Sequence, residues 1–111
     1  MNDVLWQDRE ICVTFATAAE AAKLPLRKDP ARTGALRIIE IKDYDLSACG
    51  GTHVGRTGAI GMVAIAGFER FKGGLRVEFV CGGRALRAYR GLKDAVSGGV
   101  RLLSVLPEEL P

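Results

Sequence analysis

The chain has 111 residues, which fits one small domain. One His and three Cys exclude a two-His zinc hydrolase centre built from this chain alone, and a dense disulfide framework. A charged fraction of 26% with a net charge of +3 is ordinary for a folded soluble domain, and 6% aromatics leaves the core to Val, Ile, Leu and Ala.

The opening MNDVLWQDRE carries acids and no apolar run, so it is not a secretory leader. No stretch is long enough to span a bilayer, which predicts no membrane partner. Free thiols without an export signal predict a reducing, cytoplasmic setting. Residues 9–15 (REICVTF) alternate, with Ile11, Val13 and Phe15 on one side, and predict a strand. Thr17-Ala18-Ala19-Glu20 is a capping box that opens a short helix to about Lys23, before Pro25. Residues 25–35 hold two Pro and a Gly and predict a surface loop. Residues 36–42 (LRIIEIK) predict a second strand, broken by Asp43-Tyr44-Asp45. Residues 47–58 carry four Gly and predict a loop that can approach a ligand closely. Residues 60–71 predict a third strand with a bulge at Gly67, and Lys72-Gly73-Gly74 a hairpin turn. Residues 75–81 (LRVEFVC) alternate cleanly as a fourth strand. A helix is expected over 84–96, with Ala85, Leu86, Ala88, Tyr89, Leu92 and Val96 recurring at helical spacing and Ser97-Gly98-Gly99 ending it. Pro107-Glu108-Glu109 reads as the first turn of a further helix, cut off at Pro111.

These elements predict an α+β fold: a mainly antiparallel β-sheet with helices packed on one face, a two-layer sandwich. Residues 56–101 hold nine Lys/Arg against three Asp/Glu. Seven of the nine are Arg, which suits bidentate phosphate contact. The set describes either a polyanion-facing surface or a solvated face. Arg37 and Arg76 lie on strands, and at least one is expected to pair with Glu40 or an acid near Glu78.

Cys49-Gly50-Gly51-Thr52-His53 is the one chemical motif. Thiolate and imidazole are good zinc ligands, and a Gly-Gly turn lets both converge on one ion. Two ligands make half a tetrahedral site. Cys12 and Cys81 could close a Cys3His set with Cys49 and His53. Cys49 and His53 could instead form a nucleophile–base pair oriented by Asp43 or Asp45. An incidental pairing in a Gly-rich turn is the remaining reading.

The run LRIIEIKDYDLSACGGTHVGRTGAIGMVAI, residues 36–65, resembles the second additional (editing) domain of alanyl- and threonyl-tRNA synthetases and is most similar to free-standing alanyl-tRNA editing proteins. The matching pieces are Arg37 to Ile41, the region of Asp45, Cys49 to His53, Arg56-Thr57-Gly58 and Ile60-Gly61. KGGLRVEF and CGGRALRAYR extend the resemblance to about residues 9–93. The resemblance implies hydrolysis of Ser or Gly wrongly esterified to tRNA(Ala), with zinc as cofactor. It implies zinc ligation by two His of a His-x-x-x-His helix and by a Cys-x-x-x-His pair, here Cys49 and His53. Gly50, Gly51 and Thr52 would receive the terminal adenosine ester. Arg56, Arg70, Lys72, Arg84, Arg87 and Arg90 would meet the acceptor end of tRNA.

The chain departs from that pattern in having no His-x-x-x-His. The expectation is therefore a fragment, with residues 1–96 the C-terminal part of an editing domain and 97–111 a linker and the start of a following helix. No ATP-binding aminoacylation core has a place in it. Such a fragment is expected to bind zinc weakly or not at all, to be inactive alone, and to self-associate through the surface its missing N-terminal half would cover. The rival function is a tRNA-binding or docking module without catalysis.

Overall fold

The computed structural model describes residues 1–28 and 34–111; the middle of the expected 25–35 loop lies outside the described residues. It divides into two compact units, Met1–Gly61 and Met62–Pro111. The architecture is α+β with antiparallel pairing throughout, as the alternation predicts. The strands nevertheless form two sheets where one was expected: three strands in the first unit and two in the second.

The first unit begins with a helix the sequence did not announce, α1 (Asn2–Trp6). Strand β1 (Ile11–Ala16) pairs with β2 (Leu36–Ile41), from Ile11 opposite Ile41 to Ala16 opposite Leu36. The chain then turns through Asp43, at φ 55°, into β3 (Asp45–Ala48). Asp tolerates that left-handed conformation better than most residues. The expected break at 43–45 is thus a hairpin turn, and residues 47–48, expected to begin the loop, are the end of a strand. Leu46 and Ala48 supply the reason: both pack around the cluster that holds Leu36 and Ile38.

Helix α2 (Ala18–Ala21) starts in the expected capping box. Thr17 Oγ1 accepts from the Glu20 amide at 3.2 Å, and Glu20 Oε2 accepts from the Thr17 amide at 2.8 Å. The helix buries Ala21 against Leu36 and Ile38, closing one face of the sheet. Pleating sends alternate side chains to opposite faces. Ala16 therefore reaches this core, while Val13 and Phe15 stand on the other face, 43% and 74% exposed. The apolar alternation of β1 therefore does not mark the face that packs on Ala21, Leu36 and Ile38.

Beyond β3 the chain returns to β1. Gly55 O accepts from the Ile11 amide at 2.9 Å, and Arg56 bridges Glu10. Thr57, 2% exposed, opens a 3-10 turn over Thr57–Ile60. Its hydroxyl accepts from the Arg9 amide at 2.8 Å and donates to Val4 O at 2.9 Å, which ties α1, β1 and this turn together.

The second unit holds β4 (Val63–Phe71), β5 (Gly74–Cys81) and α3 (Gly82–Leu103). Lys72 and Gly73 join the strands at φ 46° and 74°, the conformation of a type I′ hairpin turn. The register slips between Ile65 and Gly67, the expected bulge. Helix α3 does not stop at Ser97-Gly98-Gly99. Neither Gly98 nor Gly99 takes a positive φ; the left-handed cap falls at Ser104, φ 53°. An interior Gly costs about 0.5–1 kcal/mol relative to Ala, an amount a long helix tolerates. Gly99 also receives Leu110, whose Cδ2 lies 3.4 Å from where a Cβ would sit. Residues 97–103 are therefore helix, not linker. Pro107–Glu109 forms the expected helical turn, as a 3-10 turn. No helix among the described residues is long and apolar enough to cross a membrane.

Candidate functional site

The loop after β3 is held at both ends. At its start the Cys49 amide donates to Arg37 O at 3.1 Å, extending the β2–β3 ladder by one rung. At its end Gly55 joins β1. Between them, Arg37 Nη1 donates to Cys49 O at 2.9 Å and to Gly51 O at 2.7 Å. The Gly51 amide donates to Cys49 Sγ at 3.4 Å.

Both expected ligands reach the position that a Gly51 side chain would take. A Cβ placed on Gly51 would lie 3.5 Å from Cys49 Sγ and 4.0 Å from His53 Cε1. Sulfur and imidazole thus border one small space, which Gly51 keeps open by lacking a side chain. Cys49, Gly50, Thr52 and His53 are all exposed, and nothing lies within 4 Å of a Cβ placed on Gly50. A thiol and an imidazole over a shared gap fit two ligand positions of a zinc ion.

Among the described residues no three His, Cys, Asp or Glu converge on one point. Cys12 pairs with Glu40 within the β1–β2 ladder, and Cys81 is the N-cap of α3 in the second unit. The nucleophile–base reading lacks its third member. Asp45 is engaged by Ser47 Oγ at 2.8 Å and by Arg27 Nε at 3.3 Å, and Asp43 sits in the turn at the opposite end of the β2–β3 hairpin from Cys49.

At that opposite end a cavity of about 290 Å3 opens beside Asp8, Arg9, Glu10, Lys42, Asp43 and Arg56. Its acids and bases balance, so it offers no net field for a phosphate. Arg56 is spoken for here: Nε donates to Asp8 Oδ2 at 2.8 Å and Nη2 to Asp8 O at 2.6 Å. The hydrogen bond and charge of Asp8 push its ionisation further above the usual arginine range. Asp8 Oδ1 also accepts from the Gly58 amide at 3.2 Å, and a Cβ on Gly58 would collide with that carboxylate.

The remaining expected tRNA contacts lie in the second unit. Arg70 and Lys72 stand at the turn end of the hairpin, with Lys72 Nζ 5.3 Å from the centre of the Phe71 ring. Arg84, Arg87 and Arg90 are exposed, and their three-residue spacing lines them along one side of α3. Among the described residues Arg70, Arg84, Arg87 and Arg90 make no side-chain hydrogen bond or ion pair. Arg76 instead pairs with Glu69 at 3.1 Å and covers the Phe71 ring at 3.6 Å. Arg37 does not pair with Glu40: the pleat places them on opposite faces of β2. The role of Arg37 in the loop is what the sequence left unread, although a lone Arg in the apolar run LRIIEI was a signal.

Residues 36–78 match the family described as the threonyl and alanyl tRNA synthetase second additional domain. Curated relatives include an alanine–tRNA ligase of Pyrococcus furiosus, 40% identical over 77 residues. Those of Methanosarcina mazei and Desulfitobacterium hafniense are 43% identical over 77 residues and 40% over 76. Each match covers 68% of this chain but only 8–9% of the relative. Residues 36–78, which include the whole Cys49–His53 motif, are thus similar to the threonyl- and alanyl-tRNA synthetase second additional domain.

Proposed function

We propose that this chain supplies the Cys49–His53 half of a zinc-dependent site that hydrolyses Ser or Gly esterified to tRNA(Ala). The observation that supports the reading is that Cys49 Sγ and His53 Cε1 lie 3.5 and 4.0 Å from the place a Gly51 side chain would take. Zinc bound there would supply Lewis acidity toward an ester carbonyl or a water. Gly50 and Gly51 leave room for the terminal adenosine ester, and Thr52 offers a hydroxyl beside it. Arg37 holds the loop carbonyls. With two donors present, the other two zinc positions fall to groups outside this set. A His-x-x-x-His segment, on another polypeptide or another part of the same one, would fill them.

The test is complementation. Ser-tRNA(Ala) is incubated with the chain, with a His-x-x-x-His segment taken from an alanine–tRNA ligase, and with both. Zinc-dependent deacylation only with both, lost in Cys49→Ser and His53→Gln, is the expected result. No deacylation with both, and no zinc-dependent change at Cys49 or His53, would overturn the reading.

The exposed Arg84, Arg87 and Arg90, which form no ion pair among the described residues, favour a second reading, a tRNA-binding module without catalysis. It predicts tRNA binding that weakens steeply with salt and is indifferent to Cys49→Ser.

A further inference from the structure

A loop with adjacent glycines has more conformational freedom to lose than any other. Two donors four residues apart on such a loop share a gap only if something fixes the peptide planes between them. Three features identify what does so here.

The first is the double bond from one nitrogen. Arg37 Nη1 reaches Cys49 O at 2.9 Å and Gly51 O at 2.7 Å, so the carbonyls on either side of Gly50 turn toward one point. Charge-assisted bonds of this kind are among the stronger ones available to a side chain. The second is the rigidity of the anchor. Arg37 lies on β2, the central strand, between Leu36 and Ile38, which are 6% and 1% exposed. Its own carbonyl also holds the Cys49 amide at 3.1 Å. The third is the consequence at the donors. With Cys49 O and Gly51 O committed to Arg37, the Gly51 amide is left to donate to Cys49 Sγ at 3.4 Å. That contact sets the sulfur beside the gap that His53 borders.

We infer that Arg37 is the positioning residue of the Cys49–His53 pair: its guanidinium orders the Gly-Gly turn so that sulfur and imidazole both border the space at Gly51. The metal part of this inference rests on the proposed zinc reading; the loop part does not. A lysine ammonium keeps the charge and several donors on one nitrogen and can replace much of the effect; a glutamine amide is uncharged and two bonds shorter than arginine, and cannot.

The test uses the full chain with Arg37→Gln and Arg37→Lys, and Co2+ alone as the probe. Binding through Cys49 gives a thiolate-to-cobalt absorption band that Cys49→Ser removes. Loss of a group that orients a ligand typically weakens metal affinity by about 10–100-fold, the range expected for Arg37→Gln. Arg37→Lys should recover most of it. Metal-free amide spectra are recorded on the same proteins. In Arg37→Gln the signals of Gly50, Gly51, Thr52 and His53 should move or broaden, while those of Ile38–Ile41 and Asp45–Ala48 stay in place and show the sheet intact. A general loss of stability would not spare the sheet signals, nor would it be reversed by Lys.

Unchanged loop amides in Arg37→Gln would overturn the inference. So would a Co2+ affinity equal to the wild type, or an Arg37→Lys protein no better than Arg37→Gln. If the wild type gives no cobalt band, the zinc reading falls. The metal-free spectra then decide on Arg37 alone, displaced loop signals supporting it and unchanged ones refuting it.

Discussion

Substituting Gly51 by Ala separates the metal site from the fold. Gly51 is not among the positive-φ residues, so Ala can adopt its backbone conformation. The added methyl would stand 3.5 Å from Cys49 Sγ and 4.0 Å from His53 Cε1, both ordinary contact distances. No neighbour has to move. By restricting the unfolded chain, the substitution should leave stability unchanged or raise it by about 0.4–1 kcal/mol. An ion shared by the pair needs the same space, since zinc sits about 2.3 Å from a sulfur and about 2.0–2.1 Å from an imidazole nitrogen. Complete structural zinc sites are worth about 10–16 kcal/mol. Half a ligand set at roughly half that energy gives a Kd between about 1 μM and about 0.2 mM. Losing either donor from the pair should then weaken binding by at least about tenfold, roughly 1.4 kcal/mol. Isothermal titration with zinc, beside a thermal melt of the metal-free protein, measures both quantities. Wild-type zinc affinity in Gly51→Ala would show that sulfur and imidazole do not share an ion across this gap. Sub-micromolar zinc binding by the wild type would show that more than two ligands take part.

Thr57→Val keeps the shape of a buried side chain but removes the acceptor of the Arg9 amide and the donor to Val4 O. It should cost about 1–3 kcal/mol in urea unfolding followed at Trp6, the only tryptophan; an unmoved midpoint would contradict the role given to Thr57. Hydrogen bonds from the Thr17 amide and hydroxyl hold the Glu20 carboxyl below its usual range. Its stabilising contribution is therefore present above the unfolded value and lost as pH falls through the lower folded one. Glu20→Gln should flatten that acid limb, and identical acid profiles for the two proteins would refute it. If α3 carries the tRNA contact, Arg87→Ala should lower the slope of log affinity against log salt by about one, and an unchanged slope would remove Arg87 from the contact.

What the sequence made legible were features that local chemistry settles alone. The Thr17–Glu20 capping box, the Lys72-Gly73 turn and the alternation of residues 75–81 each need only a few neighbours, and each is found in place. What stayed hidden depends on partners distant in sequence. Strand β3 is four residues long, half of them polar, and becomes a strand only because β2 offers an edge and the Leu36–Ile38 core accepts Leu46 and Ala48. Ile11, Val13 and Phe15 read as one side of a strand, but it is Ala16, on the other side, that packs against the Leu36–Ile38 cluster. Gly98 and Gly99 read as a stop, but a glycine ends a helix only where the backbone turns left-handed, and that happens at Ser104. In the site, Cys49 and His53 were visible as a spacing, and Arg37 was not, because its work is done on carbonyl groups that no sequence pattern displays.

The arginines show why charge counting locates a nucleic-acid surface poorly. By composition, the stretch 56–101 is a single basic block. By bonding, it divides. Arg56 is held by two hydrogen bonds to Asp8, and Arg76 is paired with Glu69 and laid over Phe71. A guanidinium already saturated in this way must break those contacts before it can grip a phosphate, so its charge contributes to the distant field more than to a contact. Among the described residues Arg84, Arg87 and Arg90 make no such contact, and they share one side of a single helix. If tRNA is bound as proposed, contact energy would therefore fall to Arg70 and to Arg84, Arg87 and Arg90 of α3 rather than to Arg56 or Arg76. Reversing Arg56 would then alter the fold of the first unit before it altered tRNA affinity. Removing the α3 arginines would do the opposite, and the two outcomes are separable by measuring stability and binding on the same proteins.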